Sequence, residues 1–211
     1  MSKGSTEYTR AGERIRTTRI NRGASTMISP EQQRNVVLAE LSRVASLLSE
    51  SMAPALVADA GTNIGYSIRG ARDSAGVAAV SGGFVVQDKM VRAVGACRFG
   101  VDETLAKIIL TAAKFDPGIR CAATIRYTNE AGRILADMFL ECCTIERRGQ
   151  PPGVATMDWG VASCCRDGVP EVIVDPGAPN DSAKIHLFGE NPVDVSGNII
   201  MLSNRIIRIE L

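Results

Sequence analysis

The stretch that decides the fold is residues 121–145, which read CAATIRYTNEAGRILADMFLECCTI. Residues 121–127 form an apolar run and predict a strand, residues 129–137 predict a short helix, and residues 139–145 predict another strand. Strands that alternate with helices indicate an α/β domain, in which helices pack against a sheet.

The same alternation continues towards the N-terminus. Ser29 and Pro30 are a typical helix start, and Gln32 has the spacing of a capping box. Apolar side chains then recur along one helix face at Val37, Leu41, Val44 and Leu48. Short apolar runs at 56–58, 77–80, 84–86 and 90–94 predict strands, with a hairpin turn at residues 88–89.

A second helix is predicted to begin at Asp102 and to end before Pro117. Beyond residue 145 the pattern predicts a helix at 159–165, strands at 172–174 and 185–188, and a last helix at 192–205. The whole pattern predicts one α/β domain, a layered mixed sheet flanked by helices.

Length and composition agree with one soluble domain. The chain has 211 residues, of which 45% are hydrophobic and 22% charged. The apolar runs are far shorter than the roughly 20 residues of a membrane helix. The first residues lack the apolar core of a secretory signal, so we expect a cytoplasmic protein without membrane contact.

The N-terminal segment differs from the rest of the chain. The first 26 residues contain six basic and two acidic side chains, a net charge of +4. They show no apolar periodicity, so residues 1–28 are predicted to be a basic flexible arm and residues 29–211 the domain. The remainder carries about −3, which argues against a broad surface for nucleic acid.

The cysteines and the histidine exclude several kinds of site. Six cysteines occur without a C-x-x-C spacing, and His186 is the only histidine. This pattern argues against a metal site of the zinc type, and we expect the cysteines to be reduced and structural. A Ser-His-Asp hydrolase is not supported either, since no G-x-S-x-G element is present.

Two features suit phosphate. Residues 61–70, GTNIGYSIRG, predict a glycine-rich loop after a strand, where backbone amides approach an anion closely; a simple tight turn is the alternative. Arginines suit diphosphate because the guanidinium donates paired hydrogen bonds, although a solvated surface charge is the favoured interpretation for any single one of them. Arg126 is the exception, because it ends an apolar strand, where α/β clefts form. The arginines considered are Arg98, Arg120, Arg126, Arg147 and Arg148.

These motifs carry a resemblance to a family. The string GTNIGY at 61–66 resembles the G-S-N-I-x-Y element of the archaeal-type thiamine-phosphate synthase domain, the ThiN family, often fused behind a hydroxymethylpyrimidine phosphate kinase. Further matches follow in the family's order from about residue 29 to the C-terminus. They are FG (99–100), FDP (115–117), IRY (125–127), ERR (146–148), MDWG (157–160) and PEVI (170–173).

The resemblance implies an activity and a set of site residues. The family joins hydroxymethylpyrimidine diphosphate to hydroxyethylthiazole phosphate and releases pyrophosphate, usually with Mg²⁺. By resemblance, the residues expected to stabilise the departing pyrophosphate are Arg126 and Arg147. Substrate binding is expected from Gly61, Asn63, Tyr66, Arg120, Tyr127, Arg148, Trp159, Asp175, Lys184 and His186.

One segment departs from the family pattern. Where the family has a G-K-E element, this chain has Asn180, Asp181 and Ser182, and His186 replaces an expected arginine. Lys184 is the alternative phosphate ligand nearby. If the missing lysine is required, catalysis is lost and binding remains.

This departure leaves other classes of protein open. One is a non-catalytic sensor of thiamine phosphate, related to archaeal transcription regulators, although residues 1–26 are too short and irregular for a helix-turn-helix. Another is a degenerate structural subunit. The expected partners are therefore the two small-molecule substrates or thiamine phosphate, and a homodimer is left open.

Overall fold

The computed structural model describes residues 29–59, 61–146, 157–177 and 182–209. The helices are α1 (Pro30–Ser51), α2 (Glu103–Phe115), α3 (Asn129–Asp137), α4 (Met157–Cys164) and α5 (Pro192–Ile209). The strands are β1 (Asn63–Ser67), β2 (Val77–Val80), β3 (Phe84–Gln87), β4 (Met90–Ala93), β5 (Cys97–Phe99), β6 (Cys121–Arg126), β7 (Cys142–Thr144), β8 (Val172–Asp175) and β9 (Lys184–Gly189). The predicted arm, residues 1–28, lies outside the described residues.

Within those residues, seven strands form one mixed sheet in the order β5-β2-β1-β6-β9-β8-β7. Neighbouring strands run antiparallel except β7 and β8, which are parallel. Strands β3 and β4 form a separate hairpin. The predicted single α/β domain with a mixed sheet is confirmed.

Helix α1 forms as its sequence predicts. The Ser29 side chain accepts from the Gln32 amide and the Gln32 side chain accepts from the Ser29 amide, a complete capping box. The apolar stripe that includes Leu41 and Leu48 is buried. It packs with α3 and α5 on one face of the sheet, in a core that also contains Ile125 and Leu187.

The other face of the sheet carries a second, smaller core. Helices α2 and α4 supply Leu105, Ile109 and Val161, which pack against Ala122 and Ile173 of the sheet. Helix α2 begins at the predicted residue, since Asp102 caps it by accepting a hydrogen bond from the Leu105 amide. A cavity lies between the start of this helix and the sheet.

The prediction of a glycine-rich loop at residues 61–70 was wrong for the middle of that segment. Asn63–Ser67 is a strand, β1, and all five residues are buried. A Cβ atom at Gly65 would lie 3.0 Å from side-chain atoms of Leu105 and Ile109. Glycine is used here for close packing of the strand under α2, which local sequence does not reveal. The run 56–58, predicted as a strand, instead overlaps a short 3-10 helix, Pro54–Leu56.

Other boundaries moved by a few residues. The predicted hairpin turn is confirmed, with Asp88 and Lys89 both at positive φ. The strand predicted at 139–145 shrinks to Cys142–Thr144, because Phe139 is 95% exposed and takes a φ of 56°. The short strand β5 was not predicted. The predicted strand 90–94 ends at Ala93.

The expectation of reduced cysteines was also wrong in part. Cys143 of β7 and Cys164 of α4 form a disulfide, with their Cα atoms 5.8 Å apart. The two residues are 21 positions apart, and only the packing of α4 beside the edge strand brings them together. Cys97, Cys121, Cys142 and Cys165 are free. No helix in the described part of the chain has the length and apolar character to cross a membrane.

Candidate functional site

A row of polar side chains lies on the three central strands of the sheet, β1, β6 and β9, on the face that α2 covers. In the strand register Asn63 pairs with Thr124, and Thr124 pairs with His186. Directly paired residues of neighbouring strands point to the same face. The three side chains therefore lie side by side across β1, β6 and β9, although they are far apart in sequence.

A cavity of about 210 Å³ opens above this row, under the N-terminal end of α2. Three of its lining residues were predicted from sequence: Gly61, Lys184 and His186. The other lining residues are Asp102, Thr104, Leu105, Ile108 and Thr124. The cavity therefore joins part of the predicted site to α2 residues that the sequence reasoning missed.

His186 is held at the floor of the cavity. Its side chain is buried, with the residue 1% exposed, and its Nδ1 lies 2.9 Å from the Thr124 hydroxyl. Either group can donate in this hydrogen bond, depending on the imidazole tautomer. This bond restrains the orientation of the imidazole at the cavity.

Two cationic residues lie at the open end of the same face. Arg126 and Lys184 pair directly in the register, and each is two residues from a member of the central row, so both point to the α2 side. The Arg126 guanidinium is 2.9 Å from the Asp59 carboxylate, and its side chain is 36% exposed. Lys184 lines the cavity, and Arg126 places a second positive charge beside it.

Gly61 connects the predicted glycine stretch to this mouth. It has a φ of +83°, and a Cβ atom there would be 4.0 Å from Cε of Lys184. The positive φ favours glycine. Of the predicted phosphate loop, Gly61 is thus the member that lines the cavity.

Asn63, which is buried, and Asp102, which is half-buried, form a link between the sheet and α2. The Asn63 amide donates to Asp102 Oδ2 at 2.9 Å and to the Val80 carbonyl at 3.0 Å. Asp102 Oδ1 accepts from the Leu105 amide at 2.9 Å. The link fixes the first turn of α2 against β1 and β2, beside the cavity.

Asp175 is the last residue of the neighbouring strand, β8. It is fully buried at the end of β8, and its Oδ1 accepts from the Gly177 amide at 2.9 Å. In the register it pairs with Lys184. Asp175 therefore belongs to the same strand ends as Lys184 and Arg126, although it does not line the cavity.

Tyr66 and Arg120 lie away from the cavity. Tyr66 belongs to the core on the α1 face, and the Arg120 guanidinium stands 4.5 Å from the centre of its ring. Arg120 also donates twice to the Ser67 carbonyl, at 2.7 and 3.2 Å. Burial raises the pKa of the Tyr66 phenol, and the charge of Arg120 opposes that rise. The structure does not bring this pair to the other predicted site residues.

The remaining predicted residues are dispersed. Tyr127 is half-buried against the α1-side core, and its ring crowds Gly132 of α3. Trp159 is half-buried on α4. Arg147, Arg148 and the altered residues Asn180 and Asp181 lie outside the described part of the chain.

The residues that sequence reasoning missed were Asp102, Thr104 and Thr124. Two of them carried a signal, since Asp102 was recognised as a helix start and Thr124 interrupts an apolar strand. Neither signal says that the two positions meet. The metal expectation has no direct support from the described residues, where no group of three His, Cys, Asp or Glu side chains is placed to hold an ion.

These features define an α/β domain with a polar cavity at the ends of central strands. The family described as "Thiamine-phosphate synthase ThiN" matches residues 40–201. The chain therefore belongs to the thiamine-phosphate synthase ThiN family, as the sequence motifs indicated.

Solved structures and a curated protein are similar to the chain. The crystal structure of the C-terminal domain of protein MJ0236 aligns with a TM-score of 0.77 at 30% identity, over 86% of this chain and 99% of that one. A second, the C-terminal domain of a phosphomethylpyrimidine kinase, aligns with a TM-score of 0.73 at 29% identity, over 79% and 98%.

The curated relative is the bifunctional thiamine biosynthesis protein ThiDN of Methanocaldococcus jannaschii. It is 35% identical over 144 residues, which cover 66% of this chain. The match spans only 34% of the relative's length. The likeness thus concerns one part of a larger protein.

Proposed function

We propose that this chain joins hydroxymethylpyrimidine diphosphate to hydroxyethylthiazole phosphate, forming thiamine phosphate and pyrophosphate. Membership of the family supports the reaction class. The observation that carries the proposal to this site is the cavity with His186 on its floor and Lys184 at its mouth, with Arg126 paired to Lys184 across the strands.

The proposed reaction asks for charge stabilisation and alignment. The bond between the pyrimidine methylene carbon and the diphosphate oxygen breaks, and the diphosphate keeps the electron pair. The thiazole nitrogen then forms a bond to the methylene cation. Cationic groups fixed beside the leaving oxygen lower the barrier, and two aligned substrates avoid the entropy cost of an encounter.

Residues at the cavity mouth would meet the leaving group. Arg126 and Lys184 point to the same side of neighbouring strands, so a diphosphate at the mouth would contact both. Arg126 is partly exposed and bonded to the fully exposed Asp59. A surface ion pair is worth only about 0–1 kcal/mol, so an incoming diphosphate can displace Asp59 at little cost.

Magnesium belongs to the proposal as well. Mg²⁺ is commonly held by one or two carboxylates together with phosphate oxygens of the substrate. Asp175 is a buried carboxylate at the same strand ends as Lys184 and Arg126. Its Oδ1 already accepts from the Gly177 amide, so it would hold a metal only together with phosphate oxygens of the substrate.

The direct test is product formation. The purified chain would be incubated with both precursors, with and without Mg²⁺, and thiamine phosphate and pyrophosphate would be quantified. We expect both products in equal amounts from the wild type, and a large loss in Lys184→Met. Lys114→Met is the matched control, because Lys114 is exposed in the last turn of α2, away from the cavity.

Binding without turnover would contradict this proposal. Thiamine phosphate should raise the melting temperature, because a ligand at 100 times its Kd adds about 2.7 kcal/mol to the free energy of unfolding. A wild type that shows this shift but makes no product is a sensor and not a synthase. Absence of both shift and product would remove both readings.

A further inference from the structure

Asn63 already uses all its hydrogen-bonding capacity. Its amide nitrogen donates to Val80 O and Asp102 Oδ2, and its carbonyl oxygen accepts from the Val80 and Ile64 amides. A side-chain amide offers two donors and two acceptor lone pairs, so no group remains for a substrate. Any effect of Asn63 on a ligand must therefore pass through a neighbour, and its neighbour at the cavity is Asp102.

Asp102 keeps acceptor capacity beside the cavity. Each carboxylate oxygen has about two acceptor sites. In Asp102, Oδ1 accepts from Leu105 and Oδ2 accepts from Asn63. The two bonds hold the carboxylate at the cavity wall, and each oxygen retains a site for a further donor.

The cavity has the size and the walls of a pocket for one ring. Its volume of about 210 Å³ is below the about 300–1,000 Å³ typical of pockets for whole ligands. Leu105 and Ile108 supply apolar wall on the α2 side, while Thr124 and His186 line the sheet side. These walls suit a flat heterocycle, and at this volume a diphosphate would have to remain at the mouth.

We infer that Asp102 is a specificity-determining residue that accepts a hydrogen bond from an amino group on the heterocycle in this cavity, and that Asn63 is the positioning residue that aims it. The inference rests on the proposed function, in which the heterocycle is the aminopyrimidine ring. Asp102 then selects against rings that carry a carbonyl oxygen in place of the amine, because two acceptors would face each other.

The test compares two ligands on one variant. Binding of thiamine phosphate is measured against the analogue whose pyrimidine amino group is replaced by a carbonyl oxygen. We expect the wild type to prefer the amine. Asp102→Asn should lose roughly 10- to 150-fold in affinity for thiamine phosphate, the range for a charge-assisted hydrogen bond. The same variant should bind the carbonyl analogue as well as or better than the wild type does, since an amide can donate to it.

The substitution preserves the helix start, because asparagine is as good an N-cap as aspartate, but it replaces the Oδ2 that accepts from Asn63 by an amide nitrogen. Asp116→Asn is the matched control: it lies at the other end of α2 and also accepts a backbone hydrogen bond, from Gly118. It should leave the ratio of the two affinities unchanged. Asn63→Ala should lower the ratio of the affinity for thiamine phosphate to the affinity for the analogue, towards the value of Asp102→Asn. If Asn63 had only a structural role, its replacement would lower both affinities equally.

If Asp102→Asn leaves the ratio of the two affinities as it is in the wild type, for instance because both affinities fall equally, the inference is overturned. The proposed function is judged separately, by product formation in the wild type. If the wild type binds thiamine phosphate without forming it, the synthase proposal fails, yet the ratio still decides the role of Asp102. If the wild type binds neither ligand, both proposals are overturned.

Discussion

The two faces of β9 differ in what covers them. Ile185 and Leu187 point to the α1 and α5 side and are fully buried in the larger core. Lys184 and His186 point to the other side, where α2 leaves a cavity. Alternate residues of one strand thus meet two environments: Ile185 and Leu187 pack in the core, and Lys184 and His186 line the cavity.

The difference teaches where this fold tolerates polar groups. On the α1 side helices α1, α3 and α5 pack against the sheet, and apolar side chains fill the space beside Ile185 and Leu187. On the α2 side the start of the helix is bonded to Asn63 of β1, and a cavity lined by Thr124 and His186 remains beside its first turn. Buried polar groups persist there because they bond to each other.

The largest expected effect comes from the apolar face. Leu187→Ala removes a fully buried side chain and should lower the free energy of unfolding by about 2–5 kcal/mol, measured by urea denaturation. Affinity for thiamine phosphate in the folded fraction should stay within twofold. A variant of unchanged stability but lost affinity would break the comparison between the faces.

The second effect tests the stability of the α4 edge. Closing a loop of 21 residues through Cys143 and Cys164 should add about 3 kcal/mol in the chain-entropy account. We therefore expect Cys143→Ser/Cys164→Ser to unfold at lower urea concentration by that amount. Cys97→Ser serves as the control, since Cys97 is free. Equal stability of the double variant and the wild type, or alkylation of both cysteines without reductant, would contradict the expectation.

The third effect concerns function on the polar face. Arg126→Lys keeps the charge but loses the paired donors, so affinity or rate should fall roughly 10- to 150-fold. The free energy of unfolding should change by less than about 0.5 kcal/mol, because the partner Asp59 is fully exposed.

The comparison for Arg126 is Arg98→Lys, an exposed arginine of β5 that should change neither quantity. Arg147→Lys should behave like Arg126→Lys if the family resemblance holds at that position. Unchanged affinity and rate in both would remove these arginines from the site.

The smallest effect is expected at the N-terminus. Deletion of residues 1–26 should leave the affinity for thiamine phosphate unchanged, because that segment has no apolar periodicity to contribute to a core. The capping residue Ser29 remains in the shortened chain. A large drop in affinity or in folded yield would show that both faces depend on the arm.

Local signals predicted the elements well where the pattern was long. Helix α1 was predicted from its Ser29 cap and its apolar face, and α2 from Asp102. Prediction failed at residues 61–70, because a glycine that permits close packing looks the same in sequence as a glycine in a loop. Gly65 shows this: its neighbour is α2, some forty residues away.

Candidate site residues divide in the same way. Lys184 and His186 were predicted from the family segment and lie together at the cavity. Tyr66 and Arg120 were predicted from the same kind of match, but they stack on each other at the opposite face. A match to a family motif identifies residues that the family shares, but it does not show to which side of the sheet each side chain points.

The sequence by itself determined the α/β class, the helix caps and the family, because these depend on periodicity and on short motifs within a few residues. The tertiary structure alone decided which polar residues meet. Thr124 and His186 are 62 positions apart, and Asn63 and Asp102 are 39 apart. Such contacts depend on strand register and helix placement, which follow from the packing of the whole core.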